Sequence, residues 1–444
     1  LSLKAAQYGG NAQVNAGCLQ LGSSDNDVTL SADNLNIAKG AVAGGFGGTA
    51  GNVNNSGTLQ LGSLNPVSVK ATADAVRFNV GGNLVNSGDI IVGGAGAAAG
   101  NQLHIAGNYS GNNGHITLNT ALGDDNSVTD KMIVAGDTSG TTSVSVNNAG
   151  GSGAKTINGI EIINVGGKSD GEFVKDGRIV AGAYDYNLVR GESSNSNNWY
   201  LTNVLGGVVD PGDGGDNGDK DDIIKIYRPE SAAYSANMAA ANNLFNTRLH
   251  DRLGETHYVD ALTGEEKVTS MWLRNVGGHT RSSDSSGQMK TQANRYVMQM
   301  GGDIAQWSTD GANRYHLGVM AGYANQQSNS RNHLSGQKAD GSIHGYSTGI
   351  YATWLQDNEE KSGAYLDSWA QYSWFDNTVK GDSLAAESYK SKGITASLET
   401  GYTWKIGEKN ERESYFVQPQ AQITWMGVKA DEIREQNGTR VKGT

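Results

Sequence analysis

Long segments in the second half of the chain alternate between apolar and polar residues. From Val417 to Trp425 every odd position is apolar or proline, and every even position is Gln or Thr. A period of two places successive side chains on opposite faces of a β-strand. Six further segments share the pattern and predict strands of about 12 to 16 residues, where five or six is usual. The seven predicted strands are Val268–Arg281, Asn294–Trp307, Arg314–Gln326, Ile343–Leu355, Ala364–Asn377, Ile394–Ile406 and Val417–Trp425.

The apolar faces of these predicted strands carry Trp and Tyr near the strand ends. Membrane-spanning β-barrels place such aromatic residues at both membrane interfaces. A soluble β-sandwich with long strands would show similar alternation, and the recurring aromatic residues favour the barrel. We therefore expect an antiparallel transmembrane β-barrel over residues 265–444, with its apolar face toward lipid. The polar residues predicted to line its pore are Arg274, Asp303, Asp367, Glu399, Gln418, Gln420 and Gln422.

This barrel is expected to be incomplete within the chain. A barrel in lipid must close, because each unpaired backbone group in hydrocarbon costs several kcal/mol. Only the start of an eighth strand is present near Val441, and the sequence stops at Gly443–Thr444. Bacterial single-chain barrels usually have even strand numbers. The sequence therefore predicts truncation inside the barrel.

The first half of the chain repeats a short pattern. Asn15–Gly22 (NAGCLQLG) matches Asn55–Gly62 (NSGTLQLG), with a third copy at Asn86–Gly93 and a looser fourth at Asn113–Asn119. Each copy has a turn followed by two apolar residues two positions apart, which share one face of a short strand. Such a strand cannot bury that face alone, whereas stacked copies can. We predict a parallel β-helix over residues 1–127, with a β-sandwich as the alternative.

Residues 128–204 are predicted to form the capping end of this solenoid. The last coil of a solenoid exposes its core unless an atypical segment covers it. Aromatic residues concentrate in this part of an otherwise aromatic-poor half. Those predicted to close the end are Phe173, Tyr184, Tyr186, Trp199 and Tyr200.

A linker and a helix are predicted between the two halves. Residues 205–228 include Leu205–Ile223, which holds six Asp and six Gly, so it should be an extended acidic linker. Residues 229–254 follow, with six Ala between Glu230 and Leu253, Pro229 at the start and Gly254 at the end. A helix of this length, about 36 Å, could cross a membrane. Because it carries several charged residues, we expect it in a water-filled pore, with packing on a soluble domain as the alternative.

Composition and motifs exclude several classes of function. The net charge of −11 and the absence of a basic stripe argue against nucleic acid. The single Cys cannot form an intrachain disulfide. No G-x-S-x-G, H-E-x-x-H or complete phosphate-binding loop is present, and the eight His are scattered. The sequence therefore predicts no enzyme, no cofactor and no metal site.

The order of these parts resembles that of the type V autotransporters. The amino-acid sequences of several motifs are similar to those of the AIDA-type adhesins. Three motifs resemble the autochaperone region of that family, namely Ser169–Phe173, Gly182–Tyr186 and Trp199–Leu201. The segment Asn243–Gly254 resembles its pore helix. Two further motifs, Trp272–Arg274 and Asp367–Tyr372, resemble its barrel strands.

The resemblance implies a Gram-negative outer-membrane protein whose barrel translocates and anchors its own β-helix passenger. The passenger would be displayed at the cell surface, most often as an adhesin with a host or bacterial surface ligand. Outer-membrane lipid, the barrel assembly machinery and periplasmic chaperones are the implied partners. The barrel of this family has twelve strands and ends in an aromatic residue, and the sequence given lacks that end.

Two alternatives stay open. Some autotransporters cut themselves between two asparagines inside the barrel, and Asn242–Asn243 is such a pair. The side-chain amide of Asn242 would attack its own carbonyl carbon, which needs a nearby acid or base and a strained backbone. An α-helix disfavours that geometry, so we expect an attached passenger. The other alternative is a soluble carbohydrate-active β-helix enzyme, for which no row of acidic residues is found.

Overall fold

A computed structural model describes residues 1–3, 9–64, 75–94, 96–206, 224–252, 256–259, 266–357, 362–410 and 413–443. The chain forms two compact units. The solenoid unit comprises residues 1–228 and 434–441, and the sheet unit comprises residues 229–433 and 442–444. Most of the predicted acidic linker, residues 207–223, lies outside the described residues.

The predicted parallel β-helix is confirmed. The solenoid makes about five turns, with short strands stacked in parallel columns. Its strands are β1 (Ser2–Leu3), β2 (Asn11–Val14), β3 (Cys18–Leu21), β4 (Val28–Leu30), β5 (Asn34–Ile37), β6 (Val42–Gly45), β7 (Gly47–Thr49), β8 (Asn52–Asn55), β9 (Thr58–Leu61), β10 (Arg77–Val80), β11 (Leu84–Asn86), β12 (Asp89–Ile91), β13 (Gln102–Ile105), β14 (Tyr109–Thr120), β15 (Lys131–Val134), β16 (Thr138–Asn148), β17 (Ile160–Val165) and β18 (Glu172–Lys175).

The four repeat copies stack in one column of this solenoid. Leu59 pairs in register with Ile90, and Ile90 with Ile116, and all three side chains are fully buried. Between Leu19 of the first copy and Leu59 of the second, the structure inserts Ala43 on strand β6. The sequence pattern missed this rung because the surrounding segment is Gly- and Ala-rich and shows no apolar alternation.

A second repeat, which the sequence analysis did not find, forms one corner of the solenoid. Asn83, Asn108 and Asp137 occupy equivalent positions in successive coils. The side-chain oxygen of Asn83 accepts from the backbone N–H of Asn108 at 2.8 Å, and the oxygen of Asn108 accepts from Asp137 N–H at 2.8 Å. The residue before each, such as Gly107, must lack a side chain, because a Cβ there would lie 2.3 Å from Asn83 Oδ1. The ladder therefore sets the coil spacing at this corner.

We expect Gly107→Ala to destabilise the solenoid by about 1–3 kcal/mol, because the added methyl overpacks against the ladder. Gly94→Ala is the matched control, since a Cβ at Gly94 meets nothing within 4 Å. The measurement is the urea concentration at which the solenoid becomes sensitive to protease. Equal midpoints for the two variants would show that the corner tolerates the methyl.

Three antiparallel strands end the solenoid. They are β19 (Ile179–Ala181), β20 (Tyr184–Arg190) and β21 (Trp199–Thr202), and β21 pairs with the last core strand, β17. Part of the predicted linker belongs to this solenoid unit. Residues 224–228, expected to be part of the linker, include buried Ile226 and Arg228. Apolar Ile226 and the ion pair of Arg228 explain why this segment is ordered.

The solenoid unit also contains a segment predicted to begin an eighth barrel strand near Val441. That prediction was wrong. Strand β33 (Arg440–Val441) instead pairs with β32 (Ile433–Arg434) in a short hairpin. The reason is the Asn437–Gly438 pair, a strong turn signal, with Gly438 at φ +87°. In the same segment Glu435 accepts two hydrogen bonds from the buried Arg228 guanidinium, at 2.7 and 2.8 Å.

Within its described residues, the sheet unit contains one α-helix, α1 (Glu230–Asn243). It has 14 residues, or about 21 Å, so it is shorter than the predicted helix to residue 253. The Asn- and Thr-rich sequence explains the early end, because these side chains compete with the backbone for hydrogen bonds. Among the described residues, no helix is both long and apolar enough to cross a membrane.

A large antiparallel sheet follows α1 and curls like half a barrel. Its seven long strands match the seven predicted segments, although most extend further because backbone pairing continues through polar residues. The strands of this unit are β22 (Thr256–Val259), β23 (Glu266–Thr269), β24 (Trp272–Ser283), β25 (Met289–Trp307), β26 (Arg314–Asn332), β27 (Lys338–Asp357), β28 (Ser362–Gly381), β29 (Ala386–Asn410), β30 (Glu413–Val417) and β31 (Gln420–Ala430). Strands β30 and β31 together pair with β29 as the seventh long strand.

The two faces of this sheet are opposite in polarity to those of a soluble sheet. Ser330, Gln371 and Glu399 on the concave face are at most 1% exposed. On the other face, Ile350 is 58% exposed and Ile423 is 77% exposed. An apolar exposed face and a polar covered face are typical of a membrane-spanning barrel.

Candidate functional site

The concave face of the sheet holds α1 and the segment Leu244–Arg252, which we call the strap. An apolar cluster at the end of α1 fixes the entry to the strap. Phe245 stacks on Phe375 of β28 with ring centroids 5.6 Å apart. Leu244 and Ala240 belong to the same cluster, with Val297 of β25. These contacts position an otherwise polar segment against the sheet.

Side chains of the sheet donate hydrogen bonds to the backbone carbonyls of the strap. The Phe245 carbonyl accepts from the side-chain amides of Gln299 at 3.0 Å and Gln371 at 2.9 Å. The Thr247 carbonyl accepts from Trp369 Nε1 at 2.9 Å and from Gln422 Nε2 at 3.0 Å. Buried backbone groups need such partners, so the strap, which includes a short 3-10 helix over Leu249–Asp251, can lie at this depth.

A buried ion pair fixes the far end of the strap. The Arg252 guanidinium pairs with the carboxylate of Asp367 on β28, and the two side chains are 2% and 0% exposed. Asp367 also accepts a hydrogen bond from Thr353 at 2.5 Å. The guanidinium lies 4.6 Å from the ring centroid of Tyr351.

Glu399 and the glutamines also lie along the strap. A Glu399 carboxylate oxygen accepts from the Leu249 backbone N–H at 3.1 Å, and the other accepts from Tyr365 at 2.9 Å. Gln418 Oε1 lies 2.8 Å from His250 Nε2. Gln420 Oε1 accepts from Tyr365 at 3.2 Å.

Arg274 and Asp303 occupy the remaining predicted positions. Arg274 donates to the Asn246 carbonyl at 3.1 Å and to Gln299 Oε1 at 2.7 Å. Asp303 accepts from Tyr351 at 2.6 Å and lies 2.7 Å from His316 Nδ1. Five of the seven predicted pore residues thus bond the strap directly, namely Arg274, Asp367, Glu399, Gln418 and Gln422.

The Asn242–Asn243 pair lies in the last turn of α1. The Asn243 side-chain amide donates to the Ala239 carbonyl at 2.8 Å. Asn242 donates to the Met238 carbonyl at 3.2 Å, and its Oδ1 accepts from the Val428 backbone N–H at 3.2 Å. Both amides therefore hold helical or strand hydrogen bonds, which orient the Asn242 nitrogen away from its own carbonyl carbon.

A cavity of about 500 Å³ lies beside the helix, between it and strands β24 to β26. Its lining includes Asn243, Arg274, Thr291, Arg295 and Gln326. Alanine, valine and leucine side chains line it as well, so the cavity is mixed in polarity. Across the part of the chain that the structure describes, no three His, Cys, Asp or Glu side chains are grouped so as to hold a metal ion.

The predicted capping aromatics lie at the antiparallel end of the solenoid. Trp199 is 5% exposed and meets Phe173 edge-on, with centroids 5.4 Å apart. Phe173 stacks in turn on Tyr109, which the sequence analysis did not single out, at 5.9 Å. The Arg190 guanidinium lies 4.5 Å from the Trp199 ring centroid. The four side chains form a continuous stack over the last coil.

The tyrosines of this end make more specific contacts. The buried Tyr186 hydroxyl donates to the Gly123 and Ala154 carbonyls at 2.9 and 3.0 Å, and burial raises the pKa of Tyr186 to about 12. Tyr200 donates to Glu161 at 3.3 Å. Tyr184 is only half-buried and packs on Tyr227 at 5.4 Å.

Several residues that hold the strap were not predicted. Gln299, Gln371 and Trp369 alternate with outward-facing residues on their strands, so their inward face was readable from the sequence. Arg252 was read as one charge of a long helix. The sequence analysis did not predict that the helix would stop ten residues before residue 253, where Asn and Thr follow the alanines, and so leave Arg252 to pair with Asp367.

Comparisons with known proteins identify the family. The autotransporter beta-domain family matches residues 271–444, and the autochaperone domain type 1 family matches residues 79–188. YdeU, an uncharacterized protein of Escherichia coli (strain K12), is 52% identical over 78% of this chain and 76% of its own length. The chain belongs to the autotransporter family.

Two longer relatives extend this autotransporter match. YuaQ, an uncharacterized protein of Escherichia coli (strain K12), is 52% identical over 99% of this chain, which covers 30% of YuaQ. The autotransporter adhesin AIDA-I of Escherichia coli is 39% identical over 78% of this chain, which covers 26% of the adhesin. This autotransporter chain thus spans less than a third of either protein.

Proposed function

We propose that this autotransporter anchors a β-helix passenger in the outer membrane of a Gram-negative cell and displays it at the surface as an adhesin. The observation that carries the proposal is the strap, a largely polar segment whose backbone is hydrogen-bonded by inward side chains of an apolar-out sheet. An unpaired polar segment could not lie at membrane depth in lipid. Inside a pore a polar segment can lie at membrane depth, and there the strap connects the passenger to the barrel.

The passenger stays attached in this proposal. Succinimide formation needs the Asn242 amide nitrogen in line with its carbonyl carbon, and the α-helical backbone together with the Val428 contact opposes that geometry. Release by self-cleavage is therefore disfavoured.

The adhesive role follows the relatives, since AIDA-I is by name an adhesin. We propose a non-enzymatic role, in which stacked solenoid coils present a long surface to a ligand on a host or bacterial cell. Outer-membrane lipid surrounds the barrel, and the barrel assembly machinery and periplasmic chaperones serve its insertion.

The test uses the full-length protein in a Gram-negative host. We expect one intact band on electrophoresis of outer membranes, and loss of the passenger when intact cells are treated with protease. Cells shaved in this way should also lose adherence to a cell monolayer, with untreated cells as the matched control. Two fragments that merge into one on Asn242→Asp would show cleavage instead. Protection of the passenger in intact cells would contradict surface display.

A further inference from the structure

A row of outward-facing side chains crosses five neighbouring strands of the large sheet, β26 to β29 and β31. The row joins directly paired residues, one from each strand. In order across the sheet they are Tyr323, Tyr346, Trp374, Lys392 and Lys429. The ring centroids of Tyr323 and Tyr346 are 5.3 Å apart, and those of Tyr346 and Trp374 are 6.1 Å apart. The row thus changes from aromatic to basic.

The aromatic part of the row fixes its depth. Tyr and Trp on the lipid face of a barrel lie at the level of the lipid head groups. Below the row the same face is apolar, with exposed Ile394 and Trp425. Lys392 is paired directly with Trp374, and because adjacent strands lie only about 4.8 Å apart, the two residues differ little in depth even where the strands are tilted. The two lysines are therefore at head-group level.

The two lysines face each other, and the nearest carboxylates on this face, Asp376 and Asp431, lie instead opposite Lys390. Residues opposite one another in an antiparallel pair have Cβ atoms about 4.5–5.5 Å apart, and like charges there are destabilising. Lys390, two positions before Lys392, has Asp376 as its cross-strand partner, whereas Lys392 has Lys429. Over the described part of the chain, neither Lys392 nor Lys429 forms a side-chain hydrogen bond or ion pair. An anion between them would relieve the repulsion.

The row lies toward the end of the sheet where α1 begins. Asn237, in the middle of α1, donates to the carbonyls of Ser342 and Thr378 at 3.2 and 3.3 Å. Trp374 lies on the Thr378 side of its strand, while the strap ends near Asp367. Since the passenger precedes α1 in the chain, this end faces the cell surface in the proposed function.

We propose that Lys392 and Lys429 bind the phosphate groups of an anionic, phosphorylated glycolipid in the surface leaflet of the outer membrane. This inference rests on the proposed function, which sets the leaflet. The two ammonium groups pair with phosphate oxygens, and the acyl chains lie against the apolar face below. Trp425 supports that contact, because its ring lies over Gly427, where a Cβ would be 2.5 Å from a ring carbon.

The experiment measures lipid binding to the purified full-length protein by native mass spectrometry. The probe is lipid A carrying two phosphates, with dephosphorylated lipid A and inorganic phosphate as separate arms. We expect the double variant Lys392→Gln, Lys429→Gln to bind bisphosphorylated lipid A about thirty-fold more weakly, which corresponds to about 1 kcal/mol for each lysine. Dephosphorylated lipid A should bind both proteins equally weakly.

The matched control removes the same charge elsewhere on the same face. Lys338→Gln with Lys380→Gln changes two exposed lysines that lie about 20 Å or more beyond the row, and it should leave the affinity unchanged. Equal affinities of the Lys392, Lys429 variant and the wild type would overturn the proposal, as would displacement of lipid A by an equal concentration of inorganic phosphate. Outer-membrane fractionation and protease accessibility of the same variants report separately on the proposed function.

Discussion

Asp367→Ala in the full-length protein is expected to release the strap and open the pore. Asp367 and Arg252 form a pair that is almost fully buried. Removing one partner leaves an uncompensated buried charge, which costs about 3–5 kcal/mol. The strap can avoid that cost by moving Arg252 into water. Single-channel recordings in planar bilayers should therefore show a large rise in the open fraction.

A second ion pair of the same unit provides the control. Lys405 and Glu408 lie 2.8 Å apart, with side chains 43% and 49% exposed. Exposed pairs contribute about 0–1 kcal/mol, so Lys405→Gln should leave the recordings unchanged. Asp367→Asn should lie between the wild type and Asp367→Ala, because an amide oxygen can still accept from Arg252. A closed pore in Asp367→Ala would mean that the hydrogen bonds to Phe245 and Thr247 hold the strap without the ion pair.

The sequence predicted those features of the fold that depend on strand periodicity. Paired apolar residues such as Leu59 and Leu61 revealed one column of the solenoid, because a period of two fixes the buried face. The corner formed by Asn83, Asn108 and Asp137 was missed. Its repeating feature is a hydrogen bond from backbone to side chain and not a pair of apolar residues. Such a repeat can be recognised only when the number of residues in each coil is known.

The candidate site shows the same limit. Inward-facing residues such as Glu399 and Gln422 could be assigned to one face of the sheet because their strands alternate. Their partners could not, since these depend on where α1 ends. Helix propensity favours continuation through the alanine-rich part, and the end at Asn243 reflects both the polar residues that follow and the sheet side chains that bind the strap carbonyls. Arg252 meets Asp367 only because α1 ends before it.

Trp199→Ala is expected to unfold the capping end of the solenoid while the barrel stays assembled. Removing a large buried aromatic costs about 3–5 kcal/mol, a large part of the about 5–15 kcal/mol by which a domain is usually stable. Trp199 lies between Phe173 and Arg190. The variant therefore loosens the whole stack over the last coil. Protease treatment of intact cells should degrade the passenger faster, with the barrel fragment unchanged.

Two controls separate packing from other effects of this change. The buried Trp199 Nε1 has no hydrogen-bond partner among the described residues. Trp199→Phe therefore keeps most of the apolar contact, loses no hydrogen bond, and should resist protease far better than Trp199→Ala. Val174→Ala alters a neighbouring side chain that is 53% exposed, and should change stability by no more than about 0.5 kcal/mol. If all three variants resisted protease like the wild type, the stack would not be what closes the solenoid, and the antiparallel pairing of β17 with β21 would have to suffice.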